Sequence, residues 1–408
     1  MKKTSSITKR VLIAGALAVM AMASMGAGTG IQAKAAQTAD GVKIDREHFP
    51  DANLRKYTRT YDKNSDGMLS VKEAKNIRKL AFDKYSTKRT DSDYSLRSVK
   101  NFKGIEYFTE LRKINLQDVE ARYLDTSKNK KLTSLVLRRN PYLSEVHCSS
   151  GSLKSLNVKQ FIVSYNPNLT YLDCNRAGLT KLDVSTNAKL KLLDCGNNRL
   201  TRLEVGKLRN LESLSCHNNN ISRLDVSKNT KLKYLVCDNN KLSDIDVKNN
   251  RRLLFLYCDE NKLTKLDVRR NTKLTDLGCS YNNLTEIDTS RNPKLKNFSC
   301  SGNKLTQIDV TKNPRIMRLS CSYNKLTELD LRNCSELWWL VCNNNKLTKI
   351  NMTGLKGIGG IYCQSNRIKT LNIKSNTYMS RLCCDKSVKV IKTKKQNVEI
   401  AHTMKKDW

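Results

Sequence analysis

The stretch Leu232–Arg252 reads LKYLVCDNNKLSDIDVKNNRR, and the chain repeats it at a fixed distance on both sides. Cys174, Cys195, Cys216, Cys237, Cys258, Cys279, Cys300, Cys321, Cys342, Cys363 and Cys384 are each 21 residues apart. Cutting at that period gives ten unbroken units from Leu169 to Tyr378, with the pattern LxxLxCxxNxLTxLDVxxNxx. A constant period of this size means stacked units, because one unit cannot bury its own apolar face. Within each unit LxxLxC and LTxLDV both place alternate residues inward, the period of a strand. The Asn after the first half recurs at Asn198, Asn219, Asn240, Asn261, Asn282, Asn303, Asn324, Asn345 and Asn366. A buried amide ladder of this kind bridges backbone groups where the chain leaves the strand. Upstream, Leu111–Asn168 follows the pattern irregularly, with about five extra residues expected near Lys159–Val163. Downstream, Met379–Lys392 begins an eleventh unit and passes into a basic tail, residues 393–408.

The matching residues Leu232, Leu235, Cys237, Asn240 and Leu242, with their equivalents in other units, resemble the leucine-rich repeat family. The resemblance is to the bacterial type with nested 21-residue units, with Cys at the usual third-Leu position. It covers about Leu96 to Lys392. The layout is similar to secreted repeat proteins of Gram-positive bacteria, with internalins as architectural relatives. The resemblance implies a solenoid of parallel β-strands with short irregular or β second halves. It also implies binding of proteins or glycans and no catalysis. Residues 111–392 are expected to form the solenoid, 83–110 an N-terminal cap and 36–46 a linker.

The first 35 residues read as an address. Lys2, Lys3, Lys9 and Arg10 precede an uncharged run, Val11–Ile31, and Ala33-Lys34-Ala35 fits a small-x-small cleavage site. This is the pattern of a secretory signal peptide; the competing reading is an uncleaved anchor. Cleavage after Ala35 predicts a secreted, extracellular chain, held loosely at the cell wall if at all and not inserted in a membrane.

Residues 47–82 read as a small helical segment around one cation loop. Asp62-Lys-Asn64-Ser-Asp66-Gly67-Met68-Leu69-Ser70-Val-Lys-Glu73 meets the twelve-residue EF-hand pattern at every ligand position. A hard cation needs converging oxygens. Asp62, Asn64 and Asp66 supply side-chain oxygens, Met68 its carbonyl, Ser70 a direct or water-bridged contact, and Glu73 two oxygens. Ca²⁺ in a structural role is the expected ion. Helices are expected at Asp51–Tyr61 and Val71–Leu80. EF-hands usually pair, yet the sequence has one loop only.

Three ladders need weighing. The cysteines could form disulfides, a metal stripe or a redox sensor, but stacked parallel side chains point the same way and no C-x-x-C occurs. Burial as small hydrophobes is the simpler reading. Cys383, out of phase with Cys384, is expected to face outward as a reactive thiol. The acids Asp183, Glu204, Asp225, Asp246, Asp267, Asp288, Asp309 and Asp330 form either a row of cation sites or a solvated stripe. Nearby bases such as Lys181, Arg202, Arg223 and Lys265 favour the stripe. On the first-half strand, outward positions carry Tyr234, Val236, Phe255, Tyr257, Trp339, Val341 and Tyr362, with Trp338 alongside. Exposed aromatics in neighbouring units suit a protein partner or a stacked sugar, so Tyr234, Phe255, Tyr257, Trp339 and Tyr362 are the candidate ligand contacts.

Charge narrows the function classes. The chain has 408 residues with 75 Lys+Arg against 38 Asp+Glu, a net +37. This points to polyanionic partners, namely wall polymers or sulfated and acidic glycans. Nucleic acid is disfavoured, because the basic residues sit at the unit ends and do not alternate with aromatics. Four scattered histidines and no nucleophile–base constellation argue against an enzyme. The function read from the sequence is therefore extracellular binding or adhesion through the strand face. The alternative is a structural envelope protein retained by charge.

Overall fold

The structure is a computed structural model that describes residues 41–82, 96–149 and 158–402. The signal-peptide reading, residues 36–40 of the linker, residues 83–95 of the cap and residues 403–408 of the tail lie outside them. The described residues fall in two compact units that meet in sequence between Asn229 and Thr230.

Each unit is a parallel-strand β-solenoid. In residues 41–229 the first-half strands are Tyr123–Asp125, Glu145–His147, Tyr171–Asp173, Leu192–Asp194 and Ser213–Ser215, paired in parallel and in register. A second ladder joins Lys79–Phe82, Lys113–Gln117, Ser134–Arg138 and Gln160–Ile162. In residues 230–402 nine strands stack in parallel, from Tyr234–Val236 to Glu399–Ala401. Their second halves are irregular except for the pair Thr370–Asn372 and Lys389–Ile391.

The 21-residue period puts the same residue of each unit in one column. Leu253, Leu256, Cys258 and Leu263 are fully buried, and so are their counterparts Leu274, Cys279 and Leu284. Each buried Leu removes enough apolar surface from water to contribute about 2 kcal/mol. Both Asn columns work as the pattern predicts. Asn282 Nδ2 donates to the carbonyls of Cys258 (3.0 Å), Cys279 (3.1 Å) and Ser280 (3.2 Å). Its Oδ1 accepts from Leu263 N–H at 2.9 Å. The second column repeats the device: Asn271 Nδ2 donates to Val247 and Asn250 carbonyls at 2.9 Å. Cys334 occupies that column in its unit and is buried there.

The residue before the first Asn turns the chain with positive φ: Asn197, Asn218, Asn239 and Asn344, but also Glu260, Tyr281 and Tyr323, and Arg176 before Ala177 in the equivalent place. Asn tolerates the left-handed region through local hydrogen bonds, while a bulky side chain there carries strain.

Four sequence expectations change. The exit helix is Val71–Ala74, not Val71–Leu80, and Lys79–Phe82 is a strand. Leu80 and Phe82 lie two apart and are both buried, so pairing with Lys113–Gln117 outweighs continuing the helix. The solenoid therefore starts at Lys79, inside the segment read as EF-hand. The extra residues do not lie at Lys159–Val163, because Gln160–Ile162 is in register with Ser134–Val136; the spacing lengthens upstream of Gln160. Finally, Glu399–Ala401 pairs with Arg381–Cys383, so the ladder runs past Lys392 into the tail.

Candidate functional surface and cation loop

The cation loop is built by two caps. The helix Ala52–Arg59 starts at Asp51, whose carboxylate accepts from Asn53 and Leu54 N–H. The same carboxylate reaches Lys100 N–H at 2.9 Å, tying the helix to the chain beyond. Ser70 caps Val71–Ala74 in a reciprocal box with Glu73. Glu73 Oε1 accepts from Lys63 N–H at 2.7 Å, and Oε2 accepts from Ser70 N–H (3.0 Å) and Oγ–H (2.7 Å). Burial pushes the Glu73 pKa up, but the hydrogen bonds from Lys63 and Ser70 outweigh it and hold the carboxyl below its ordinary value. Asp62 accepts from the N–H groups of Asp66 and Gly67, and Asp66 from Met68 N–H. Gly67 has φ +74°, a turn that glycine makes without strain.

The six expected ligands thus lie around one loop. Among the described residues no Lys or Arg pairs with Asp62, Asp66 or Glu73; Lys63 Nζ turns away to Thr60 O. The structure also accounts for the single loop. Val42–Lys43 pairs antiparallel with Met68–Leu69, giving the loop strand its partner without a second EF-hand.

The aromatic face is more packed than the sequence suggested. Tyr257 and Tyr362 are buried, at 6% and 4% exposure, and so is Val236. Val236, Tyr257 and the partly exposed Phe255 form one small cluster. A Cβ on Gly278 would lie 2.8 Å from the Tyr257 ring, so Tyr257 covers the space that the missing side chain leaves. The expectation that Tyr257 and Tyr362 stand exposed is corrected: small residues in the next turn let the rings lie down. Tyr234 and Phe255 meet edge-to-face at 5.2 Å and remain partly exposed. Trp338, Trp339 and Tyr362 form a second group, with ring centres 5.4 and 5.2 Å apart. A Cβ on Gly360 would come within 2.5 Å of the Trp339 indole. Tyr281 and Tyr323, on the positive-φ turn column, are exposed.

A polar patch on the first-half strands of residues 41–229 escaped the sequence reading. His147 stacks on Tyr171 (4.5 Å) and meets Tyr123 at a tilt on its other side in the sheet (5.1 Å). Asp125, His147, Asp173, Asp194 and Ser215 fill one outward column. Burial, with the Asp194 charge one strand away, pushes the Asp173 pKa up to about 7. Burial raises Tyr123 to about 12 and lowers His147 despite its acidic neighbours. Asn175 donates to Asp194 at 3.2 Å, and Asn197 bridges Asn175 to His217. The available signal was YLDCN followed 21 residues later by LLDCG, two acids at the same outward position of adjacent units.

Two further expectations are settled by burial. Cys383 does take the outward position expected of it, in register with Val341 and Tyr362, but it is covered there, 2% exposed with its pKa raised by burial, so it is no poised thiolate. All fourteen cysteines are buried and unbridged, and burial raises ladder thiols such as Cys279 and Cys300. The acid stripe is exposed, but its main task is local. Asp183, Asp246, Asp267, Asp288, Asp309 and Asp330 each accept the N–H two residues on, closing an Asx turn. Their ion-pair partners are also two residues away, Lys248, Arg269 and Arg332, and of the bases named from sequence only Arg202 pairs, with Glu204.

A family model described as Leucine Rich repeats (2 copies) matches residues 209–250. The chain also matches the functional domain of InlJ from Listeria monocytogenes, which is described as including a cysteine ladder. The identity is 28%, covering 86% of this chain and 77% of that one, with a TM-score of 0.55. The fold of this chain is a leucine-rich repeat solenoid. Other solved leucine-rich repeat structures share the fold alone. The plant peptide hormone receptor RGFR1, in complex with RGF2, is 17% identical over 73% of this chain and 53% of that one, with a TM-score of 0.50. The GASSHO1/SCHENGEN3 ectodomain from Arabidopsis thaliana, in complex with CASPARIAN STRIP INTEGRITY FACTOR 2, is 19% identical over 73% and 43%, also with a TM-score of 0.50. No curated protein sequence matches this leucine-rich repeat chain. Among its described residues no helix is long and apolar enough to cross a membrane.

Proposed function

We propose that this leucine-rich repeat protein is a secreted, non-catalytic binding protein whose first-half strand face holds a protein or glycan ligand. The observation that carries the reading is the aromatic group of Trp338, Trp339 and Tyr362 over Gly360, where rings replace the small or polar side chains of neighbouring units. The two plant receptor structures solved in complex with RGF2 and with CASPARIAN STRIP INTEGRITY FACTOR 2 lend the fold a precedent. Trp339 is the contact residue, and Tyr362 beneath it is support. Trp339→Ala is expected to weaken ligand capture by about thirtyfold, the scale of a central aromatic anchor. Tyr234→Ala, in the separate and likewise partly exposed group with Phe255, tests whether that group contributes as well. A net charge of +37 favours a second reading, retention on anionic wall polymers. A pull-down of residues 36–408 by purified Gram-positive walls across a salt series separates the two. Binding lost within a few hundred millimolar salt and indifferent to Trp339 means charge-driven retention. Salt-resistant, Trp339-dependent binding supports a specific ligand.

The loop Asp62–Glu73 takes Ca²⁺ as a structural ion in this reading, with Asp62, Asn64, Asp66, Met68, Ser70 and Glu73 as ligands. Titration by calorimetry is expected to give a Kd of about 10⁻⁴–10⁻³ M, the range of extracellular modules. Glu73→Gln removes the charge while keeping the shape, and should weaken binding at least about tenfold. Heat that is the same for both proteins would count against the site.

A further inference from the structure

We infer that the cradle around Trp339 takes an acidic oligosaccharide, its carboxylate held by Arg318, a sugar ring stacked on the Trp339 indole and a hydroxyl donated to Gln364; this rests on the strand-face reading above.

Three observations from neighbouring turns converge. Arg318 lies with its guanidinium 4.9 Å above the Trp338 ring. Its side chain forms no hydrogen bond or ion pair among the described residues, while the other arginine of the column, Arg381, is committed to Glu399 at 2.8 Å. A guanidinium held against an aromatic face keeps its donors in a fixed fork, the geometry that matches a carboxylate. Arg318, Trp339 and Gly360 are register neighbours on adjacent strands, so the charge and the platform share one column. Gln364 follows two residues after the strand Gly360–Tyr362, and its side chain meets Cys383, which is in register with Tyr362. It is 8% exposed, and its Oε1 has no hydrogen-bond partner. A buried acceptor left unpaired carries a desolvation cost that a ligand hydroxyl removes.

Chemistry selects the ligand. The aromatic platform suits the flat C–H face of a pyranose, the free arginine demands an anion, and the orphan oxygen demands a donor. A carboxylate-bearing sugar supplies all three, whereas a fatty acid lacks the donor and a neutral sugar lacks the charge. The backbone positions of Arg318 and Gln364 are two strand spacings and four residues apart, roughly 16 Å, so the ligand has more than one ring.

The probe is trigalacturonic acid, with its methyl ester as the uncharged analogue, titrated into the full chain by calorimetry at 0.3 M salt. The acid should bind at least about tenfold tighter than the ester. Arg318→Gln should bring the acid to the level of the ester, and Trp339→Ala should abolish both. Gln364→Met should keep the melting temperature and lose several-fold in affinity, which covers the case in which Trp339→Ala disturbs folding. Equal binding of acid and ester, or indifference to Arg318→Gln, overturns the proposal. So does acid binding that ignores Trp339, which is charge attraction alone. If neither sugar binds while a wall or protein ligand is still captured through Trp339, the strand face stands as the binding surface and the acidic sugar is wrong.

Discussion

Asp173→Asn should raise the unfolding free energy of the chain at pH 8 by on the order of 2 kcal/mol or more, and change it little at pH 4. The carboxyl stands on the strand Tyr171–Asp173, with Asp194 in register on the next strand and His147 on the one before. Asp125 and Glu145 add further negative charge from the two strands behind. Burial and the Asp194 charge raise its pKa from 3.8 to about 7. Between those values the folded chain keeps a proton that the unfolded chain has released. Stability therefore falls as pH rises through this window, the reverse of an ordinary salt-bridged aspartate. The contribution is intact below the unfolded value and lost above the folded one. Asn has the shape of the protonated acid and still accepts the Asn175 N–H, which lies 3.0 Å from Asp173 Oδ1. Urea denaturation of both proteins at the two pH values checks this. Parallel stability–pH curves for wild type and variant would remove Asp173 as the source of the dependence.

The second large effect is Asn282→Leu, with an expected loss of about 3 kcal/mol or more. Leu is apolar and of similar size, so burial is not the deficit. The deficit is four buried backbone groups, the carbonyls of Cys258, Cys279 and Ser280 and the N–H of Leu263, which lose the amide that joins them. Neighbouring units hold each other by nearest-neighbour contacts, so the loss spreads beyond one turn. Asp288→Asn, one half-unit later, keeps the acceptor of its turn and should cost under about 0.5 kcal/mol. Hydrogen exchange on both variants makes the contrast local. Similar protection of the 260–285 amides in the two would show that the ladder amide is dispensable.

These effects differ in how far the sequence revealed them. The Asn282 column was visible from its spacing, since a polar residue recurring at an inward phase must find backbone partners. The calcium-type loop was visible because each ligand position constrains a residue type. The Asp173 patch was not visible as a site. Its aromatics and acids come from Tyr123, His147, Tyr171 and Asp194, each in a different turn, and irregular spacing between Leu111 and Asn168 hid their alignment. The acid stripe is solvated and paired with nearby bases, as its composition suggested, but its turn-closing role was not legible. An Asx turn depends on the backbone two residues on, and a column of like residues does not display that.

The sequence by itself determined the period, the inward columns and the bridging Asn, because a stacked array repeats one local solution and prints it at every unit. Tertiary structure alone decided exposure and pairing. Whether an outward Tyr stands up or lies down depends on the volume of the residue one turn away: Tyr257 is buried because its neighbour is Gly278. Whether Lys79–Phe82 is helix or strand depends on Lys113–Gln117 being available to pair, a contact between residues more than thirty apart. Such outcomes are set between turns, where the strand spacing brings distant residues together, and a pattern read within one turn does not contain them.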